Sequence, residues 1–448
     1  MRRRTLAVAA LSTVVEWYDF TVYLYLATVL SRVFFGGGTG GVLAALATFA
    51  LAYLLRPVGA LAFGLVGDRY GRRPVLLISM AVMAIATLAT AALPTYATAG
   101  ALATGLLITL RCLMAFSVGG EYTGVMTYLL ESSPPAKRGL VTSLASSASE
   151  VGALLAVAVS ALIATTLTPD QLDTWGWRIP FLVGGLLAVA VLLARSTLPE
   201  TPAFTQARTG QPGRPGVAQI WRGVLDHKAA VLRTFAISAL CSVAYYVGIV
   251  YVPTYLSTVR GYSEATALQL GTAAAVIVIA ASPVAGWLSD RHGRRPVLAV
   301  LAGGSAILSI GLFAVLAHAA LGFVLLAAML LAVLAGGLTA VAASAIPEQF
   351  RTASRLTGLA IGGTVATTIF GGLAPYATQL TVTTTDWVIA PGILITAVAL
   401  ATLPAIYRSP ETAAAHHRPG RDDRATGAVP GRTAAPRAAT TPRDNGGS

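Results

Sequence analysis

Between its second and third apolar stretches the chain reads Gly64-x-x-x-Asp68-Arg69-x-Gly71-Arg72-Arg73-Pro74-Val75-Leu76. Far downstream, after the eighth stretch, it reads Gly286-x-x-x-Asp290-Arg291-x-Gly293-Arg294-Arg295-Pro296-Val297-Leu298. One short string standing at the same place in each half is poorly explained by chance, so the chain reads as two related halves. The glycines suit a sharp turn between helices, and the arginines suit the anionic face of a bilayer. The aspartate has a different use: it can meet a helix N-terminus or an arginine of the facing half. A plain basic anchor accounts for the arginines but not for the paired aspartates and glycines. A gating role for Asp68, Arg69, Arg72, Asp290, Arg291 and Arg294 is therefore the better expectation, because contacts made in one conformation bias a two-state equilibrium.

Both loops are set among apolar segments. Of 448 residues 55% are hydrophobic and 11% charged, with mean hydropathy +0.72. A soluble domain carries about 25% charged residues, so a soluble enzyme, a disulfide scaffold and a disordered chain are excluded as whole-chain readings. A helix needs about 20 residues to cross the hydrocarbon, and twelve segments qualify. They are predicted at 6–35, 41–66, 75–94, 98–130, 140–167 and 177–198, then at 229–257, 265–288, 296–318, 320–347, 354–380 and 386–407. The fold class expected is an all-α membrane protein with twelve transmembrane helices in two six-helix halves.

The 31 basic against 18 acidic residues leave a net charge of +13, which in a soluble protein would point to nucleic acid. Here the basic residues sit in loops and tails. One side collects Arg2 to Arg4, Arg69, Arg72, Arg73, Lys137, Arg138, Arg291, Arg294 and Arg295, while the other has little beyond Arg32, Arg178 and Arg260. The positive-inside rule then makes both termini cytoplasmic in a multi-pass protein of the cell membrane. The expected organisation is an N-terminal bundle over 1–198, a Pro- and Gly-rich cytoplasmic linker over 199–228, a C-terminal bundle over 229–407, and a disordered basic tail over 408–448. Two halves with binding at their interface is the pattern of a large transporter class. Cys112 and Cys241 are isolated, and no zinc, P-loop or hydrolase spacing occurs.

Longer strings carry a family resemblance. The loop resembles the signature of the major facilitator superfamily. Glu16-Trp17-Tyr18-Asp19-Phe20, Arg56-Pro57-Val58-Gly59-Ala60 and Phe116-Ser117-Val118-Gly119-Gly120-Glu121-Tyr122-Thr123-Gly124 are similar to its metabolite:H+ symporter group. So are Gly176-Trp177-Arg178-Ile179-Pro180-Phe181, Pro199-Glu200-Thr201-Pro202-Ala203-Phe204, Pro253-Thr254-Tyr255-Leu256 and Arg355-Leu356-Thr357-Gly358. Within that group the nearest resemblance is to proline/betaine symporters. Two features depart: Ser12-Thr13-Val14-Val15 stands where a glycine–asparagine pair is expected, and the tail lacks the heptads of osmosensing relatives. The resemblance implies a secondary transporter driven by the proton gradient, with no cofactor, a small-molecule substrate and protons as partners, and no enzymatic activity. It implies function as a monomer in the lipid bilayer, without nucleic acid.

Charges inside the membrane locate the chemistry. Each costs at least ~2.5 kcal/mol at a helix centre and marks a pathway more often than not. At 1.5 Å per residue, Glu16, Asp19, Arg111 and Glu150 all fall near mid-depth. Glu16, Asp19 and Tyr23 lie at i, i+3 and i+7 on one helix face, and two adjacent carboxylates cannot both ionise cheaply, which suits proton carriage. A permanently paired structural cluster with Arg111 is the competing reading. Arg111, sharing a face with Tyr122, suits one substrate carboxylate or compensates the acids. Glu150 is a second proton site, a ligand for an ammonium, or a structural hydrogen-bond acceptor. Tyr23, Tyr245 and Tyr246 are deep enough to face a cavity and hold a cation on their rings, whereas Tyr251 and Tyr255 are expected in the interfacial belt. A proton-coupled symporter importing a small organic acid or zwitterion by alternating access is the leading reading. An exporter of a small amphipathic compound, a dicarboxylate importer (α-ketoglutarate, for example) and a non-transporting sensor are the alternatives.

Overall fold

Hydrocarbon offers a peptide group no hydrogen-bond partner, so a spanning segment must satisfy its backbone internally as a helix. The computed structural model describes residues 3–70, 72–118, 135–196, 228–350 and 359–413, and among these there is no strand. Eight helical stretches are long and apolar enough to cross a membrane, from Gly38–Gly59 to Ala390–Tyr407, with shorter apolar helices at Leu77–Ala91 and Ala101–Ser117. The first span (Arg3–Tyr25, then Ala27–Phe35) and the eleventh (Ala360–Thr364, Val365–Thr367, Thr368–Leu373 and Ala374–Thr385) complete twelve. The molecule is an all-α membrane protein of two six-helix halves.

Three spans differ from the sequence expectation in a way that matters. The first breaks at Leu26, whose φ of −97° and ψ of 13° leave helical geometry. The seventh runs as Lys228–Tyr245, passes through a π-helical turn at Tyr246–Val250, and resumes as Val252–Val259. A π turn inserts one residue into the helix and shifts the register of every residue beyond it. The fourth span is helical over Ala101–Ser117, and residues 119–130 of its expected length, Tyr122 among them, lie outside the described residues, together with 197–227 and 414–448.

Among the described residues the halves meet along four lines. Span five (Arg138–Thr166) packs extensively on span eight (Glu264–His292) and also on span ten (Leu321–Ala345). Span two (Gly38–Tyr70) packs on span eleven, and span one touches span seven. Close approach is built in: a Cβ on Gly372 would stand 2.5 Å from that of Tyr53, and one on Gly152 would collide with the Val14 carbonyl oxygen. The second crossing sets spans one and five backbone to backbone, and so brings Glu16, Trp17 and Glu150 to one depth.

Candidate functional site

A cavity of about 250 Å³ lies between the halves. At mid-depth its walls hold Glu16, Trp17, Tyr53, Arg56, Glu150 and the tyrosine pair of span seven. From there it extends to Thr234, Pro347 and Leu359, at the ends of spans seven, ten and eleven that lie on the N-terminal side. Its size suits a ligand smaller than a drug-sized molecule, whose pockets run to ~300–1,000 Å³.

Two chains of contact cross the cavity. Arg56 Nη2 donates to Glu16 Oε1 at 2.8 Å, and Nη1 donates to the Tyr53 hydroxyl at 3.3 Å. The Tyr53 hydroxyl is in turn hydrogen-bonded to that of Tyr246, in the other half. The guanidinium lies 4.4 Å from the Phe20 ring centroid, so one face rests on an aromatic while one edge holds a carboxylate. The second chain is shorter: Tyr245 Oη donates to Glu150 Oε2 at 3.0 Å, from span seven to span five. Tyr245 ends the α-helical stretch and Tyr246 begins the π turn. Adjacent tyrosines thereby reach two different helices of the opposite half.

Asp19 and Arg111 stand elsewhere. A step of three residues turns a helix by 300°, so Asp19 is offset from Glu16 by about 60°. That offset sends it into the first half, where Oδ1 accepts from Thr87 Oγ1 at 2.6 Å and Oδ2 lies 3.6 Å from Arg111 Nη1. Both are sealed, at 1% and 2% exposure, and neither lines the cavity. Arg111 Nη2 donates to Thr90 Oγ1 at 3.3 Å, its guanidinium faces the Tyr23 and Phe181 rings, and its Nε and Nη1 have no hydrogen-bond partner among the described residues. Tyr23 donates to the Ala45 carbonyl at 3.0 Å and also stays off the cavity.

Depth along the predicted spans singles out one arginine at mid-membrane, Arg111, and the structure adds Arg56, which the sequence presents within a family string. The signal is present in the sequence, since a charged residue inside the predicted span 41–66 falls under the same rule that draws attention to Arg111. Tyr251 and Tyr255 are buried in the second half, donating to Gln379 Oε1 at 2.5 Å and to the carbonyl of Val388, in the turn between spans eleven and twelve, at 2.8 Å.

Of the loop residues, Asp290 accepts the backbone N–H groups of Gly139 and Leu140 at 2.9 and 2.8 Å. It thereby caps the N-terminus of span five across the half boundary. Arg294 holds Asp290 at 2.7 Å and Glu348 at 3.3 Å, while Arg291 lies over the Trp287 ring of its own helix. The side chains of Asp68, Arg69 and Arg72 lie outside the described residues. At the opposite end of the bundle Arg32 stands between Asp173 and Glu264, donating to both oxygens of each at 2.7 to 3.0 Å.

Two bundles around a central cavity define a transporter of the two-half class, and the comparisons agree. Residues 5–215 match the model of the sugar (and other) transporter family, and residues 266–441 that of the Major Facilitator Superfamily. The proline/betaine transporter of Salmonella typhimurium is 37% identical over 391 residues, covering 83% of this chain and 76% of that protein. The ectoine/proline transporter ProP of Corynebacterium glutamicum is 35% identical over 397 residues, covering 85% and 78%. Among solved structures, a D-xylose-proton symporter superposes with a TM-score of 0.74 at 22% identity, covering 91% of this chain and 98% of that one. The chain belongs to the major facilitator superfamily, in the family of the proline/betaine transporters.

Proposed function

We propose that the protein imports a small zwitterion of the proline or betaine kind together with protons, by alternating access, in the cell membrane with both termini cytoplasmic. The relatives' substrates support the cargo, and the basic loops on the side of the termini support the orientation. On that orientation the cavity reaches toward the cytoplasm. The proton gradient is the energy source and no cofactor takes part. The two halves that border the cavity belong to one chain, and function as a monomer is part of this proposal.

The observation that carries the coupling is the Glu16–Arg56 pair in the cavity wall. An ionised Glu16 neutralises Arg56 and leaves it little to offer a carboxylate substrate. Protonating Glu16 removes that partner, and the two-pronged guanidinium then takes the substrate carboxylate in its place. Proton and substrate therefore favour each other's binding, the thermodynamic requirement of symport. Giving the carboxylate to Arg111 would require that residue to leave Asp19 and enter the cavity, whereas Arg56 is already there. Asp19 acts with Arg111 as a second protonatable pair behind the wall, and the aspartate loops latch the halves.

The test is uptake of labelled proline and betaine into vesicles under an imposed inward proton gradient. Accumulation against a gradient is expected, with Glu16→Gln abolishing it while sparing substrate exchange. Unchanged accumulation in that variant overturns the coupling scheme. Substrate movement out of the cytoplasm against the proton flow would make the protein an exporter.

A further inference from the structure

Among the described residues, Glu150 differs from Glu16 and Asp19 in having no cationic partner. Glu16 has Arg56 and Asp19 has Arg111, yet among the described residues no arginine, lysine or histidine makes an ion pair with Glu150. It is 4% exposed, stands in the cavity wall, and among the described residues receives one hydrogen bond, from the Tyr245 hydroxyl. A carboxylate held this deep is costly to ionise without a positive charge beside it. Among the described residues, the charged ones lining the cavity are Glu16, Arg56 and Glu150, which with all three ionised carry one negative charge in excess.

Aromatic rings stand beside that charge. Trp17 and Tyr245 have centroids 5.6 Å apart at an interplanar angle of 85°, and Tyr245 and Tyr246 are 5.2 Å apart at 84°. Successive rings at right angles make the walls of a box, and all three line the same cavity as Glu150. Ring faces are electron-rich and attract an alkylated ammonium, whose methyl or methylene groups leave it few N–H donors for conventional hydrogen bonds. Glu150 and Trp17 come from the first half, while Tyr245 and Tyr246 come from the second. A cation seated among them touches both.

We infer that Glu150, Trp17, Tyr245 and Tyr246 form a subsite for the cationic end of the substrate, a secondary or quaternary ammonium, opposite the carboxylate end at Arg56. This rests on the zwitterion reading above and sharpens it. A carboxylic acid of the same shape but without the positive charge fills the cavity and leaves Glu150 unpaired. Glu150 then serves selection, and proton carriage stays with Glu16 and Asp19.

The experiment compares glycine betaine with 3,3-dimethylbutyrate, its uncharged-head carbon isostere, as competitors of labelled betaine binding to the purified full-length protein. The native protein should favour betaine by at least about 30-fold, the value of a desolvated cation–π contact. Glu150→Gln should cut that preference several-fold, the rings carrying what remains, with 3,3-dimethylbutyrate binding little changed and any surviving uptake still proton-driven. Trp17→Leu provides the second route and should narrow the preference with Glu150 intact. Equal binding of the two compounds by the native protein overturns the subsite while leaving the symporter standing. So does a Glu150→Gln variant that keeps the preference but loses proton-driven accumulation, since that result makes Glu150 a proton carrier. If neither zwitterions nor acids accumulate under any imposed gradient, the symporter reading itself has failed.

Discussion

Glu16 and Asp19 sit on one helix, three residues apart, and each meets an arginine, yet their settings are opposed. Glu16–Arg56 is short, at 2.8 Å, and faces the cavity, with Arg56 16% exposed. Asp19–Arg111 is long, at 3.6 Å, sealed within the first half, and leaves polar atoms of both residues without hydrogen bonds among the described residues. A pair that touches the cavity can trade its partner for a substrate. The sealed pair has nothing to trade with in this conformation, so its removal should act first on stability.

The largest effect is therefore expected at Arg111. Arg111→Leu leaves Asp19 as an uncompensated buried charge, and breaking such a pair costs about 3–5 kcal/mol. Thermal unfolding of the purified protein should show the loss, and the double change Asp19→Asn with Arg111→Leu should recover most of it. A stable Arg111→Leu variant whose defect is confined to KM would restore the substrate-binding role expected of Arg111 from its depth alone.

Arg56 should behave in the opposite manner. Arg56→Gln is expected to fold, since Glu16 can be protonated and the site has access to the cavity. The loss of a charged hydrogen bond to substrate is worth about 1.5–3 kcal/mol, or roughly 10- to 150-fold in kcat/KM. Glu16→Gln in the same background should add little, because the two act as a unit. Additive losses would separate them and break the exchange of partners proposed here.

The fold is legible because its signals are redundant: twelve apolar stretches and a thirteen-residue string repeated after the second and eighth. The site is legible in part. Burial cost draws attention to Glu16, Asp19, Arg111 and Glu150 from their position alone, but helix periodicity cannot say which neighbours they will face. Glu16 and Asp19 share a helix face in projection, and a 60° difference sends one to span two and the other to spans three and four. Tyr245 and Tyr246 are singled out by depth, but which helices of the opposite half they reach cannot be read from their own helix. Arg56 is visible in the sequence, but the family string around it masks a charge set in hydrocarbon.

The carboxylates at the half boundary extend the comparison to weaker contacts. Asp290, accepting two backbone N–H groups at the start of span five, combines a charge with a helix N-terminus, an arrangement worth up to ~2 kcal/mol when partly buried. Asp290→Asn should therefore favour separation of the halves on the side of the termini, read as faster labelling of a cysteine placed at Ser143, which faces Gly286 across that contact. Unchanged labelling would mean that the close helix crossing, and not the aspartate, holds that end.

Arg32 supplies the water-exposed limit of the series. Its geometry is better than that of either membrane pair, with four hydrogen bonds to Asp173 and Glu264, yet the three side chains are 38%, 32% and 19% exposed. Solvent and salt screen such contacts to about 0.2–1 kcal/mol, so geometry alone would overstate them. Asp173 lies in the same half as Arg32, whereas Glu264 lies in the other, and only the second bond must break when the halves part on that side. Glu264→Gln should thus shift the equilibrium toward opening there by no more than about fivefold, with Asp173→Asn shifting it less. The measurement is labelling of a cysteine at Ser257 on that side, at low and high salt, and raising the salt should erase the difference between Glu264→Gln and the native chain. A shift that survives molar salt would show the contact to be shielded from water, and would place it with the sealed pair rather than at the exposed end of the series.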